Sequence, residues 1–213
     1  MKNRILFPLV CFLLLLNTNL KAQEFKYGLV GGVDVTNVRY INTSEFYDFP
    51  SPYNPMISFN INGYVGYKSS GFWGFSAEPG FIQKGGKQKY SHLGNLIDVR
   101  FQFHYIQLPI YADFYIHKRW SISVGPEFAY LVHANVKAPD ISNEMSLKNF
   151  DRFELSGSVG VNFKINKHFD IGLKYNHAFT SFDEIIWTDV WGYPHGESKE
   201  YNFYFQTFVR FKI

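Results

Sequence analysis

Cysteine is almost absent from this chain, which has a single one, Cys11, among 213 residues. It lies in an apolar run, 5–16, that follows a short basic start. With a small residue at Ala22, this pattern predicts a secretory signal peptide over residues 1–22, because the run is shorter than the roughly 20 residues of a membrane-spanning helix. The expected mature chain, 23–213, then has no cysteine, which excludes disulfides and cysteine metal sites.

An excess of charge of one sign is also missing. The whole chain has 21 Lys and Arg against 18 Asp and Glu, but Lys2, Arg4 and Lys21 lie in the predicted signal peptide. The expected mature chain is therefore neutral. Nucleic-acid binding needs a clustered basic surface, so we expect no nucleic-acid partner.

Apolar residues with a helical period of 3.6 are lacking after the predicted signal peptide, so helices are not expected. Aromatic residues are plentiful instead, at 20% of the chain with 23 Phe and 15 Tyr, and these types favour strands. Apolar and polar residues alternate with a period of two in eight segments, which predicts an all-β domain. The expected strands are about 25–37, 58–67, 72–84, 101–115, 120–132, 153–165, 169–179 and 201–213.

The connections between these strands alternate strictly between short and long. Short periplasmic turns, long extracellular loops and an even strand number are typical of outer-membrane barrels. Aromatic residues beside the tight turns, where an interfacial girdle lies, favour the same fold. We predict an eight-stranded antiparallel up-and-down transmembrane β-barrel of the outer membrane, with four long extracellular loops and three short periplasmic turns. The turns are expected at 68–71, 116–119 and 166–168, and the loops at about 38–56, 85–100, 133–151 and 181–200.

The segment 152–165 has one apolar and one polar face, and the fold depends on what each face contacts. In a membrane barrel Phe153, Val159 and Val161 face lipid, whereas Glu154 and its polar neighbours face the lumen. A soluble periplasmic barrel of the lipocalin type would place the apolar set inside. That barrel is the alternative of a different class.

Two features interrupt the regular pattern. Apolar residues occupy odd positions up to Tyr105 and even positions from Ile106, a change of parity that predicts a β-bulge at this point. Pro79, Pro109 and Pro126 each remove a backbone donor inside a predicted strand. We expect bulges or local breaks at the three prolines.

Several segments resemble the PorT-like outer-membrane β-barrel family of Bacteroidetes, whose namesake belongs to the type IX secretion and gliding apparatus. The resemblance covers nearly all of the expected mature chain. It implies the barrel fold, and by family analogy alone an accessory role in secretion or surface assembly. The segments are 28–33 (GLVGGV), 78–81 (EPGF) followed by 84–86 (KGG), 105–110 (YIQLPI) and 123–126 (SVGP).

Charged side chains on the inward face of such a barrel have to neutralise one another. Eight strands leave an interior that side chains just fill, and an unpaired buried charge is costly. We therefore predict a structural network of ion pairs in the lumen, with a polar or proton-conducting path as the alternative. The network is expected to contain Asp34, Glu78, Glu127, Glu154, Lys174 and Arg210.

The last predicted loop carries an apolar and aromatic patch at Ile186, Trp187, Trp191 and Tyr193. Exposed patches of this kind mark contact sites, and the alternative is that the loop folds onto the barrel mouth and buries them. The seven histidines are dispersed, and no spacing indicates a catalytic pair. We expect no enzyme activity, no cofactor and no metal site.

These features predict a structural or interaction role for a barrel with a filled lumen. A narrow-pore or transport-associated barrel is the alternative. The expected partners are outer-membrane lipid and lipopolysaccharide, together with other envelope proteins that contact the extracellular loops.

Overall fold

A computed structural model describes residues 24–42, 52–92, 95–139, 141–188 and 193–213. The predicted signal peptide, 1–22, lies outside these residues. Among the described residues, no helix is long and apolar enough to cross a membrane; one 3-10 helix covers Leu147–Asn149. The strands are β1 (Glu24–Asn42), β2 (Met56–Lys68), β3 (Trp73–Ala77), β4 (Gly80–His92), β5 (Asn95–Tyr115), β6 (Trp120–Ala138), β7 (Ile141–Glu144), β8 (Phe153–Lys164), β9 (Phe169–Ala178), β10 (Asp183–Thr188) and β11 (Pro194–Lys212).

The strands close into one antiparallel barrel. β1 pairs with β11 over a continuous register from Gly28↔Lys212 to Asn42↔Ser198 and with β2 on its other side. β3 and β4 occupy a single barrel position between β2 and β5, while β7 and β10 pair only along the edges of β6 and β11. The predicted eight-stranded antiparallel barrel is confirmed.

Apolar side chains cover the outside of the barrel, and polar side chains fill the inside. Along β8, Glu154, Ser156 and Asn162 are buried, whereas Phe153 and Val159 are exposed. The same alternation runs along β2. This arrangement is that of a transmembrane barrel, so the lipocalin-type alternative, with its apolar set inside, is wrong.

The three tight turns lie at one end of the barrel, as predicted. Each is closed by a backbone hydrogen bond, from Ser69 N to Trp73 O (3.1 Å), from Ile116 N to Trp120 O (3.1 Å) and from Ile165 N to Phe169 O (2.9 Å). Aromatic rings gather on the outside beside these turns, with centroid distances of 4.8 to 6.3 Å within pairs. The pairs are Phe25–Tyr67, Tyr67–Trp73, Trp120–Phe163 and Phe169–Phe211.

The long connections at the other end differ from the expected structureless loops. β4 and β5 continue to His92 and from Asn95, so most of the predicted loop 85–100 is a hairpin. β10 and β11 likewise pair across the predicted loop 181–200. The sequence pattern missed these extensions because polar residues occur on both faces above the membrane, so the backbone ladder continues there without a regular period of two in hydropathy. Residues 43–51 lie outside the described part of the chain.

The parity change at Tyr105 has a different cause from the predicted one. β5 keeps a continuous register with β4 through Ile82↔Tyr105, and its odd positions point inward throughout. Phe103 and Tyr105 are apolar and buried because they belong to the interior of the upper barrel. A register shift does occur opposite His104 and Tyr105, but Val132 of β6 is the extra residue.

The predicted irregularities at the prolines are local interruptions without a change of register. Pro79 separates β3 from β4, although both keep the same alignment with β5. The β5–β6 pairing skips from Pro109↔Glu127 to Ala112↔Val124, opposite Pro126. Two backbone bonds, Glu78 N to Pro109 O (3.0 Å) and Gly63 N to Pro79 O (2.8 Å), hold the wall together there. The prolines therefore produce breaks and no bulge.

Candidate functional site

The middle of the lumen is occupied by a cluster around Lys84, which β4 places on its inward face. The Lys84 ammonium contacts Glu127 Oε1 at 2.8 Å and Glu154 Oε1 at 2.6 Å, and all three side chains are fully buried. The second oxygens of the carboxylates accept hydrogen bonds from Tyr204 (2.6 Å) and Asn202 (2.7 Å) of β11. Four strands thus contribute to one network in which both carboxylates are bonded through both oxygens.

A second cluster lies nearer the periplasmic end. Glu78, at the break between β3 and β4, contacts Lys174 Nζ and Arg210 Nη2, the latter at 2.7 Å. Arg210 also reaches Asp170 at 3.4 Å, and Lys212 contacts the same carboxylate at 2.6 Å. Three cations therefore face two carboxylates, so this part of the lumen has an excess of positive charge.

Asp34 is held by amides. Asn60 donates to its two carboxylate oxygens at 2.9 and 2.8 Å, and Asn62 and Gln107 extend this chain of bonds at 3.1 and 3.0 Å. Of the six predicted lumen residues, the structure brings five into the two ion clusters and places Asp34 in this separate amide chain.

Three charged members of these clusters, Lys84, Asp170 and Lys212, are absent from the predicted network. Lys84 and Glu78 both occupy even positions, so the alternation along the strand predicts that Lys84 also faces inward. The pattern does not single it out, because Lys84 is the last residue of a predicted strand. Asp170 has the same parity as Lys174 on β9 and alternates with Phe169 and Ile171, so the alternation also places it on the inward face.

An apolar layer closes the extracellular end of the lumen. Val38 and Leu131 pack with Phe103 and Phe182, and all four are buried. The rings of Phe103 and Phe182 are 4.7 Å apart. Phe150, beside the 3-10 helix, covers them with its ring 5.4 Å from Phe103. We call this layer the apolar plug. The named side chains of this layer carry no polar group that could replace the hydration shell of an ion.

The predicted contact patch of the last loop is only partly described. Ile186 on β10 and Tyr193 before β11 are exposed, at 61% and 67%. Trp187 is a residue of β10 opposite Gly196, and Trp191 lies outside the described residues. The exposure of the two described side chains agrees with the contact interpretation, and the patch stays a prediction.

Two acidic groups lie above the outward apolar belt, outside the membrane-spanning part of the barrel. Glu200 faces Tyr53, whose hydroxyl donates to its Oε2 at 3.4 Å. Burial, and then the nearby carboxylate of Asp183, raise the pKa of Glu200 to about 7. Burial also raises the pKa of Asp183. This end of the barrel therefore becomes less stable as Glu200 ionises.

Metal-binding and enzymatic features were not expected. In the part of the chain that the structure describes, no group of three or more His, Cys, Asp or Glu side chains could hold a metal ion.

The profile of the family described as "Outer membrane protein beta-barrel domain" matches residues 21–184. No curated protein matches the chain at a significant level. Similar solved structures include the attachment invasion locus protein Ail of Yersinia pestis, with 14% identity over 89% of this chain and 99% of that one and a TM-score of 0.48. Neisserial surface protein A has 13% identity over 91% of this chain and 100% of that one, with a TM-score of 0.46. Outer membrane protein W of E. coli has 14% identity over 91% and 100%, with a TM-score of 0.36.

Replacing Lys84 by methionine tests the middle cluster. The Lys84→Met variant leaves Glu127 and Glu154 buried without their cation, which we expect to lower the free energy of unfolding by about 3–5 kcal/mol. Urea unfolding in lipid vesicles, followed by the mobility difference of folded and unfolded barrel on gels, measures the change. The exposed Lys148→Met variant is the control, and equal stability of the two variants would contradict the assignment.

The carboxyl of Glu200 predicts a dependence of stability on pH. The pKa of Glu200 is higher in the folded state than the ordinary 4.5. The stability that its protonated carboxyl contributes is therefore fully present below about pH 4.5 and is lost as the pH rises through about 7. The Glu200→Gln variant should therefore raise the unfolding temperature at pH 8 and change it little at pH 4. Glu144→Gln, at an exposed position of β7, is the control. An equal effect of Glu200→Gln at both pH values would refute the prediction.

Proposed function

Since the chain belongs to the outer membrane protein beta-barrel domain family and lies in the outer membrane, we propose that it acts as a sealed barrel with a structural or interaction role. The observation that carries the proposal is the filled lumen. The two ion clusters occupy its middle and lower parts, and the apolar plug lies above them. The proposal includes the absence of catalytic activity.

The filled lumen argues against the narrow-pore alternative. An ion that crossed the barrel would have to displace Lys84 from two carboxylates and then pass Phe103 and Phe182. Removing one partner from a buried ion pair costs about 3–5 kcal/mol of stability. The apolar plug adds the cost of dehydrating the ion. A transport role would require both layers to rearrange.

The surfaces available for interaction are the outer rim and the extracellular hairpins. Arg152 lies over the ring of Tyr130 at 4.5 Å, and Arg39 lies over Tyr201 at 5.7 Å, at the upper border of the apolar belt. Aromatic and cationic side chains at this height suit the phosphate-bearing headgroups of outer-membrane lipid and lipopolysaccharide. The exposed Ile186 and Tyr193 on the last hairpin suit contacts with other envelope proteins.

A finer role follows from the resemblance to the PorT-like family of Bacteroidetes. The segments that carry it lie mostly in β1, β4, β5 and β6, which form one side of the barrel wall. By that analogy the protein is an accessory of secretion or surface assembly of the type IX kind. Deleting the gene and measuring secreted protein and surface assembly tests this role, and an unchanged phenotype would count against it.

Planar-bilayer recording tests the sealed barrel. Refolded protein should give no stable conductance steps, because the lumen is closed by both ion clusters and the apolar plug. A porin refolded by the same procedure provides the positive control for insertion. Reproducible steps of uniform size from the folded protein would overturn the proposal in favour of the narrow pore.

We further propose that residues 1–22 are removed as a signal peptide during export. Protein extracted from outer membranes should then begin at Gln23, which mass spectrometry of the N-terminal peptide measures. A mature protein that retains Cys11 would contradict this.

A further inference from the structure

The periplasmic end of the lumen is open. A recess of about 80 Å³ enters the barrel between the tight turns and ends at Arg210 and Asp170. Tyr64 and Tyr115 contribute to its wall. This volume exceeds what one water molecule needs and suits a compact polar group. We call this feature the periplasmic recess.

The lining of the periplasmic recess is strongly basic. Seven Lys and Arg residues line it against three Asp and Glu. The three acids already have partners: Asp170 is shared by Arg210 and Lys212, Asp113 accepts a bond from Ser123, and Glu24 contacts Lys26. The remaining cations, which have no acidic partner within 4 Å among the described residues, are Lys68, Lys118, Arg119 and Lys164.

Two of these four cations are directed inward by the strands that carry them. Lys68 ends β2 and lies on the same face as the buried Tyr64, with its ammonium 4.3 Å from the ring of Tyr115. Lys164 ends β8 opposite Asp170, whose carboxylate is already bonded to two other cations. Lys118 and Arg119 lie on the exposed turn at the edge of the recess. The cations therefore extend from the floor to the rim.

A buried donor at the floor gives an independent indication of a ligand. Arg210 is 4% exposed and lines the recess, and its Nε has no hydrogen-bond acceptor among the described residues. Its other nitrogens are bonded to Glu78 and Asp170. Buried guanidinium groups are normally satisfied, so this unmet donor is a group that an acceptor entering the recess would stabilise.

From this arrangement we infer that the periplasmic recess binds an acidic peptide segment of a periplasmic protein, with one carboxylate inside the recess and further carboxylates on the rim. A cleft lined by one sign of charge focuses the electric field toward its interior and attracts ions of opposite sign. A single small anion would leave Lys118 and Arg119 unpaired, whereas an extended acidic segment reaches both the floor and the rim. This site is at the end opposite the hairpins, and its test does not depend on whether the barrel conducts.

Isothermal titration calorimetry on the full refolded barrel in a zwitterionic detergent tests the inference. The probes are a tetraglutamate peptide, inorganic phosphate and a tetralysine peptide. We expect tetraglutamate to bind at low salt and more weakly at high salt, because the charges are screened. Phosphate should bind more weakly than tetraglutamate, and tetralysine should not bind.

The matched variants have the same change in net charge. The double variant Lys68→Gln/Lys164→Gln should weaken tetraglutamate binding by at least about tenfold, a change of about 1.4 kcal/mol. The control Lys137→Gln/Lys148→Gln, at the extracellular end, should change it less than about twofold, since those charges lie more than a Debye length away. If the first variant does not fold, Lys118→Gln/Arg119→Gln on the exposed turn replaces it.

Three results would overturn the inference. Equal weakening by both double variants would mean non-specific attraction to the whole barrel. Binding of phosphate at least as tight as that of tetraglutamate would assign the recess to a small free anion. An absence of tetraglutamate binding at low salt would remove the site. Binding to vesicles with anionic lipid that survives saturation with tetraglutamate would identify a separate lipid contact and would leave the peptide site supported.

Discussion

The structure depends on the requirement that every backbone donor and acceptor within the membrane be paired without water. A sheet meets this requirement only when it closes, as the β1–β11 pairing does here over fifteen residue pairs from Gly28↔Lys212 to Asn42↔Ser198. Closure sends alternate side chains to lipid and to the lumen. The apolar set can then face outward, but the polar set is confined to an interior that eight strands make too narrow for bulk water. Its charges have to neutralise one another, which accounts for Glu78, Glu127 and Glu154 each contacting a cation.

The interior changes character from one end to the other, and this gradient gives the two ends different capacities. At the extracellular end the apolar plug seals the barrel, and the strands continue above the membrane as hairpins that present exposed side chains such as Ile186. At the periplasmic end Glu78 and Asp170 cannot balance Lys174, Arg210, Lys212 and the nearby Lys164. The excess of cations faces the periplasm. A sealed barrel can therefore offer separate contact surfaces on the two sides of the membrane without connecting them through a channel.

The sequence predicts the strands within the membrane and which of their side chains point to lipid, because hydropathy distinguishes the side chains that contact lipid from those that line the lumen. Phe153, Val159 and Glu154 lie on the faces that the alternation indicated. The same signal failed where lipid is absent. The alternation predicts a loop for the hairpin of β4 and β5, because polar residues such as Lys87 and Gln88 lie on both faces of β4 above the membrane. At Tyr105 the pattern predicts a bulge because an inward aromatic residue has the same hydropathy as an outward one. Pro79 did mark a break in the wall, since the missing donor is a local property of the chain.

The sequence by itself determined the class of the protein, the number of its barrel strands and which side chains face lipid, because these depend on a period of two and on contacts with a solvent of known polarity. Only the tertiary structure decided the pairing inside the lumen. Lys84 contacts Glu127 and Glu154 across the barrel, and these residues are 43 and 70 positions away along the chain. The register and closure of the sheet set such distances, and a pattern of single residues does not encode them. For the same reason, the separation of an apolar plug at one end from a basic recess at the other became visible only in the folded barrel.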